Sequence, residues 1–116
     1  MIGRAFDRVP KYVASRGAPE LSWETSSQIS DPAAQVPELR RRHRRIHTWG
    51  SGNLLQTLFR EGLVDQVNLW VCPVVLGRGK RLFPEGTVAT RFDLVEPPKA
   101  WAICWPRLRR SRIPRA

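Results

Sequence analysis

The chain has 116 residues and a mass of 13.3 kDa, with 41% hydrophobic and 26% charged residues and a net charge of +10. These values are typical of one globular domain and exclude collagen-like, low-complexity and disulfide-scaffold proteins. No apolar run approaches the ~20 residues that a membrane-spanning helix needs, and a signal-peptide core is absent. Because two cysteines make no disulfide framework, we expect a cytoplasmic protein without a membrane partner.

The positive charge is concentrated in two segments. Residues 40–45, RRRHRR, contain five arginines, and residues 99–116 contain six basic residues and no acidic ones. The rest of the chain has nine basic and ten acidic residues, so its net charge is close to zero. Arginine outnumbers lysine 17 to 3, which fits phosphate or carboxylate recognition and equally fits the codon usage of a GC-rich genome.

The first part of the chain predicts one strand and one helix. Residues 11–15, KYVAS, form a short β-prone run, and residues 17–30 are polar and favour a loop. A helix over about residues 32–43 begins after Asp31, because aspartate caps helices and proline suits their first position. Pro37 lacks a backbone donor, so this helix should be distorted or restart there.

The next part predicts a strand–helix–strand unit. Residues 45–49, RIHTW, alternate between apolar and polar positions and predict a strand. After a Gly-Ser-Gly turn in which Ser51 can cap the helix, residues 53–61 carry leucine and phenylalanine on one helical face. Gly62 ends that helix, and residues 64–76 are typical of a strand buried on both faces. Short connections then imply a crossover and a parallel strand pair.

The last part predicts weaker elements. Residues 77–80 form a loop, and a turn at residues 85–86 precedes a strand over residues 90–95. Residues 101–105 favour a last strand. Residues 107–116, rich in arginine and proline, predict a disordered basic tail.

Two stretches resemble the dihydrofolate reductase-like family, specifically the C-terminal reductase domain of the riboflavin-biosynthesis enzyme RibD. They are KYVASR (residues 11–16) and HTWGSGNLLQTLFREGLVDQVNLWVCPVVLGRGKRLF (residues 47–83). The resemblance implies an α/β fold, a three-layer dihydrofolate reductase-like sheet with mostly parallel strands, over residues 1–106. Family members begin with several strands before the first stretch, so we expect an incomplete sheet whose N-terminal strands are missing.

The same resemblance implies a function and a cofactor. The chain is similar to NADPH-dependent reductases that act on a small molecule, in the riboflavin route 5-amino-6-(5-phosphoribosylamino)uracil, or on a related compound. The residues that match the family's pyrophosphate-binding turn are Gly50, Ser51, Gly52, Asn53 and Leu54. The pair that matches the receptor for the adenosine 2′-phosphate is Ser15 and Arg16.

Elementary chemistry agrees with these assignments without requiring them. The first amides of a helix lack internal partners and attract anions, and a guanidinium beside a hydroxyl suits a phosphate dianion. However, a strand-to-helix turn often uses glycine for steric reasons alone, and Arg16 could be an ordinary surface arginine. Residues 77–80 match a family loop near the active-site mouth and could equally be a plain connection.

Other reactive side chains give no site. His43 and His47 lie four residues apart but not on one predicted helix, and no carboxylate has ligand spacing, so no metal site is predicted. Cys72 falls within the predicted buried strand and is expected to be inert. Hydride transfer depends on the placement of cofactor against substrate, so no catalytic residue is nominated.

Two alternatives to a reductase are open. A basic nucleic-acid-binding protein would use residues 40–45 and the C-terminal arginines, with Trp101 and Trp105 stacking on bases. A non-catalytic remnant would fold only by pairing with another chain. Because relatives pair through sheet edges, a homodimer is also expected.

Overall fold

The computed structural model describes residues 2–96 and 107–111, and the chain divides into two compact units, Met1–Thr57 and Leu58–Ala116. The α/β class is confirmed. In chain order the elements are α1 (Ile2–Arg8), β1 (Lys11–Ala14), β2 (Ser26–Ile29), α2 (Pro32–Arg42), α3 (Gly52–Arg60), β3 (Gln66–Asn68), β4 (Phe92–Glu96) and β5 (Arg107–Arg110).

The first unit contains a parallel pair of strands, β1 and β2. Lys11 lies opposite Ser26 and Ala14 lies opposite Ile29. The predicted strand at β1 is confirmed, whereas β2 lies inside the segment predicted as a loop, and that prediction is wrong for these four residues. The sequence SSQI has a weak propensity for a strand. Its strand conformation depends instead on hydrogen bonds to β1.

The predicted helix α2 and its cap are confirmed. The Asp31 carboxylate accepts a hydrogen bond from the amide of Ala34 at 3.2 Å, and the Gln35 side chain accepts one from the amide of Asp31 at 2.9 Å. Pro37 lies inside the helix, which continues through it as one element rather than two. Leu39 is buried on the inner face.

The predicted helix α3 and its stop at Gly62 are also confirmed. Gly62 adopts a left-handed φ of +68°. Its amide donates to the carbonyl of Phe59 at 3.1 Å, and the amide of Leu63 donates to the carbonyl of Leu58 at 2.8 Å. These two bonds form a Schellman motif, which satisfies carbonyls that the helix end leaves free.

The predicted crossover around α3 is wrong. Residues 45–49 form no strand, and residues 64–76 contain the three-residue strand β3 and an isolated β-bridge at Val71 rather than one long strand. Residues 71–76 are exposed, with Val75 98% exposed, rather than buried on both faces. An apolar, β-branched run can become a buried strand only if other strands flank it, and the described residues supply no flanking pair for this run.

The second unit contains an antiparallel sheet with the order β3-β5-β4. The expectation of mostly parallel strands is therefore wrong for the described residues, where β1 and β2 form the parallel pair. The predicted strand at β4 is confirmed, with bounds shifted to Phe92–Glu96. The central strand β5 lies in the segment predicted as a disordered tail, and that prediction is wrong for Arg107–Arg110.

The strand register and one ion pair explain why β5 is central. Leu108 lies between Val67 on one neighbour and Leu94 on the other, so an apolar row crosses the sheet. Arg107 donates to the Glu96 carboxylate at 2.7 Å. The strand predicted over residues 101–105 and the end of the tail lie outside the described residues, and the domain boundary at residue 106 stays a prediction.

Each unit has a small core. Within the described residues, the buried apolar side chains are Ile29 and Leu39 in the first unit and Leu58, Phe59 and Val64 in the second. None of the described helices is both long enough and apolar enough to cross a membrane.

Candidate cofactor site

The backbone turns sharply at the start of α3, in the segment named here the glycine turn (residues 50–54). Gly50 and Ser51 both adopt left-handed conformations, with φ of +63° and +60°. The left-handed region costs a residue with a Cβ atom about 1–2 kcal/mol, so Ser51 holds a strained conformation. Strain of this kind is often found at functional sites.

The predicted cap at Ser51 takes a different form. Its hydroxyl donates to the carbonyl of Trp49 at 3.4 Å, while its own carbonyl accepts the first helical bond, from the amide of Leu55 at 3.0 Å. The amides of Gly52, Asn53 and Leu54 precede this bond, so they have no acceptor within the helix.

The glycine turn is open to a ligand. A Cβ atom placed on Gly50 or on Gly52 would meet no atom within 4 Å. Gly50, Ser51, Gly52 and Asn53 are exposed, and Leu54 is half-buried. Because the helix dipole adds partial positive charge at this end, an anion can approach the free amides closely.

Ser15 and Arg16 lie directly after β1. The amide of Ser15 extends the strand ladder by donating to the carbonyl of Ile29 at 3.1 Å, and its hydroxyl oxygen accepts from the amide of Gly17 at 3.2 Å. The hydroxyl hydrogen can therefore still be donated to a ligand. Arg16 is exposed, and within the described residues its guanidinium has no partner.

Gln28 positions this pair and was not identified from the sequence. Its side-chain amide donates to the carbonyl of Ser15 at 2.8 Å and also to the carbonyl of Gly17. These bonds hold the turn that presents Arg16. Gln28 could be found only by recognising β2 and its register against β1, for which the sequence offers little signal.

The two candidate segments belong to the same unit, Met1–Thr57. The Ser15 turn is bonded to β2, whereas the glycine turn is bonded to Trp49 and to α3 itself. The structure therefore presents one segment at the end of a strand and the other at the start of a helix, and no described hydrogen bond joins them.

The remaining predicted residues take different positions. Cys72 is exposed, so its predicted place in a buried strand is wrong. His43 ends α2, where its Nε2 atom lies 2.8 Å from the Tyr12 hydroxyl, and His47 is exposed in the segment before the glycine turn. Residues 77–80 form the predicted loop and are exposed.

Comparison with known proteins relates the chain to a family, to a bacterial protein and to a solved structure. The model of the family "RibD C-terminal domain" matches residues 8–100. The uncharacterized protein YyaP of Bacillus subtilis strain 168 is 35% identical over 74 residues, which are 63% of this chain and 39% of YyaP, so the chain spans about two fifths of that relative's length. A crystal structure from Shewanella sp. PV-4, of a protein provisionally assigned to riboflavin biosynthesis, matches with a TM-score of 0.76 at 19% identity, covering 96% of this chain and 68% of that one.

Proposed function

Because this chain belongs to the RibD C-terminal domain family, we propose that it is an NADPH-dependent reductase of a small molecule. The family predicted from the sequence is thereby confirmed, and the Shewanella structure confirms the fold. The proposed substrate class is a pyrimidine ribosylamino phosphate of the riboflavin type, or a related compound. The cofactor supplies the hydride, and the role of this chain is to bind the cofactor and orient it.

The observation that carries the proposal is the open glycine turn. Three amides at the start of α3 have no helical acceptor, and the backbone around Gly50 and Gly52 is uncovered. The amides of a helix N-terminus bind phosphate groups, and a dinucleotide pyrophosphate is one such anion. We therefore assign the diphosphate of the dinucleotide to Gly50, Ser51, Gly52, Asn53 and Leu54.

The preference for NADPH over NADH is assigned to Ser15 and Arg16. Gln28 fixes the turn that contains them, the Ser15 hydroxyl can donate, and the Arg16 guanidinium is unpaired within the described residues. A charged fork and a hydroxyl are suited to the extra 2′-phosphate, which NADH lacks.

The first test replaces Gly52 by alanine. The added methyl group meets no protein atom, so the fold should tolerate it, but it narrows the approach to the free amides. We expect Gly52→Ala to weaken NADPH binding at least tenfold, measured by fluorescence titration of the purified chain. Gly3→Ala is the matched control, because Gly3 also lies in a helix with open space around it. Equal affinity in both variants would contradict the assignment of the diphosphate.

The second test separates the two nicotinamide cofactors. Arg16→Ala should weaken NADPH binding about tenfold or more and leave NADH binding unchanged, since only NADPH carries the 2′-phosphate. Arg44→Ala, which removes another exposed arginine of the same unit, should change neither. A parallel loss for NADPH and NADH would remove Arg16 from the 2′-phosphate site.

The same titration addresses the nucleic-acid alternative. The arginine run at residues 40–45 begins in the last turn of α2, where cations stabilise the helix dipole, and Arg41 pairs with Glu38 at 2.8 Å. These contacts give the run a structural role. Oligonucleotide affinity that falls steeply with salt, without NADPH binding, would support the alternative instead.

A further inference from the structure

Trp49 is an exposed aromatic side chain directly before the glycine turn. Its side chain is 69% exposed, and its ring meets the ring of Phe6 edge to face, with centroids 5.9 Å apart and an angle of 74°. An indole left so open to water loses most of the stabilisation that burial would give it. The contact with Phe6 orients the ring without covering it.

The neighbouring side chains support this orientation. The rings of Phe6 and Trp23 also pack together, with centroids 6.5 Å apart. The Trp23 indole nitrogen donates to the Asp7 carboxylate at 3.0 Å. The Lys11 ammonium lies 4.5 Å from the centre of the Trp23 ring. Trp23 is thus engaged on several sides and acts as a support for Phe6, while the Trp49 ring has only the one aromatic contact, with Phe6, among the described residues.

The position of Trp49 along the chain fixes what it can reach. Gly52 lies three positions after Trp49, a chain distance of about 11 Å at most. Its carbonyl also accepts the hydrogen bond from Ser51, so its backbone forms part of the turn. An open aromatic face therefore lies within one nucleotide's length of the amides assigned to the diphosphate.

We propose that Trp49 is a stacking platform for a heterocyclic ring of the bound dinucleotide. This inference rests on the proposed function, because the diphosphate at the glycine turn determines which molecule brings a ring to Trp49. Adenine and nicotinamide are both flat and π-bearing, and tryptophan stacks on either. The Phe6 contact holds the indole in place before the ligand arrives, which lowers the entropic cost of stacking.

The test compares ligands with and without a ring. ADP, nicotinamide mononucleotide and inorganic pyrophosphate are titrated against the full chain and the variants Trp49→Ala, Trp49→Phe and Trp70→Ala. We expect Trp49→Ala to weaken one of the two ring-bearing ligands about tenfold and to leave pyrophosphate binding unchanged. Trp70→Ala is the matched control, because Trp70 is 62% exposed in the other unit, and it should bind all three ligands as the parent does.

The ligand that responds identifies the ring. A loss for ADP assigns adenine to Trp49, and a loss for nicotinamide mononucleotide assigns nicotinamide. Trp49→Phe keeps an aromatic ring for the ligand and for the contact with Phe6, so it should retain affinity within about threefold and lose most of the ligand-induced quenching of tryptophan fluorescence. This variant gives a result even if Trp49→Ala is unstable.

Two failures are distinguishable. If pyrophosphate and NADPH both fail to bind the parent chain, the proposed function fails, and this inference fails with it. If pyrophosphate binds the parent but Trp49→Ala and Trp49→Phe bind both ring-bearing ligands with unchanged affinity and quenching, the glycine turn stands and the stacking role of Trp49 is wrong.

Discussion

Gly52 and Gly62 lie at the two ends of α3 and meet opposite requirements. Gly62 must adopt a left-handed φ of +68° to close the Schellman motif, and its carbonyl accepts from the Arg110 guanidinium at 2.7 Å. Gly52 begins the helix with no such conformation, and only open space surrounds it. The backbone conformation therefore requires a glycine at position 62. At position 52 the backbone does not require one, so the glycine there can serve ligand binding.

This difference predicts a result for stability. Gly62→Ala should lower the free energy of unfolding by about 1–2 kcal/mol, because a Cβ atom is strained at this φ and would lie 2.9 Å from the Arg110 side chain. Gly52→Ala should be neutral or stabilising by up to about 1 kcal/mol, since alanine favours helices. Urea unfolding of both variants measures the difference, and a stable Gly62→Ala would contradict the role given to Gly62.

At the scale of elements, β5 shows how a strand can form where composition predicts none. The sequence RLRR contains a single leucine among arginines, too little to predict a strand by itself. The segment forms a strand because it pairs with β3 on one side and β4 on the other. There the leucine completes an apolar row, and the arginine side chains reach carboxylate and carbonyl acceptors at the rim. Charge alone therefore did not decide whether this segment is ordered.

The alternation of β5 predicts that its two faces respond differently to substitution. Leu108→Thr should cost about 1 kcal/mol, because it removes apolar contacts with Val67 and Leu94 in the row across the sheet. Arg109→Thr introduces the same residue on the exposed face and should change stability by less than about 0.5 kcal/mol. Thermal or urea unfolding compares the two, and equal effects would contradict the register of the sheet.

At the scale of the whole molecule, the described residues bury little and expose much. The buried apolar side chains number five among these residues, whereas the run at residues 71–76 is exposed throughout. A continuous exposed apolar segment favours association with other chains. The homodimer expected from the sequence remains a proposal, and this segment is where self-association should begin.

The exposed run predicts a change in association without a change in stability. Val75→Lys places a charge where the side chain is 98% exposed, so the free energy of unfolding should stay within about 0.5 kcal/mol. Light scattering should show less self-association as the concentration rises. Val64→Lys, at a buried position, should instead destabilise the fold clearly. Unchanged scattering for Val75→Lys would mean that residues 71–76 do not drive association.

The candidate site was predictable in part. The glycine turn and the Ser15–Arg16 pair follow from local sequence and from resemblance, and their roles in binding remain proposals. Gln28 was missed, because its effect depends on the pairing of β2 with β1 rather than on any neighbour in sequence. The sequence predicts Trp49 as a strand residue, whereas the structure has no strand there and leaves its side chain exposed beside the turn.

Local sequence is sufficient to predict α2, α3, the Asp31 cap and the Gly62 stop, and it also identifies the family of the chain. Helices and caps are encoded locally, since each hydrogen bond joins residues a few positions apart. Long-range packing selects which β-prone segments form strands, places an arginine-rich segment at the centre of a sheet and leaves a valine-rich run exposed. A strand obtains its hydrogen bonds from a distant partner, so its own residues cannot say whether that partner is in place.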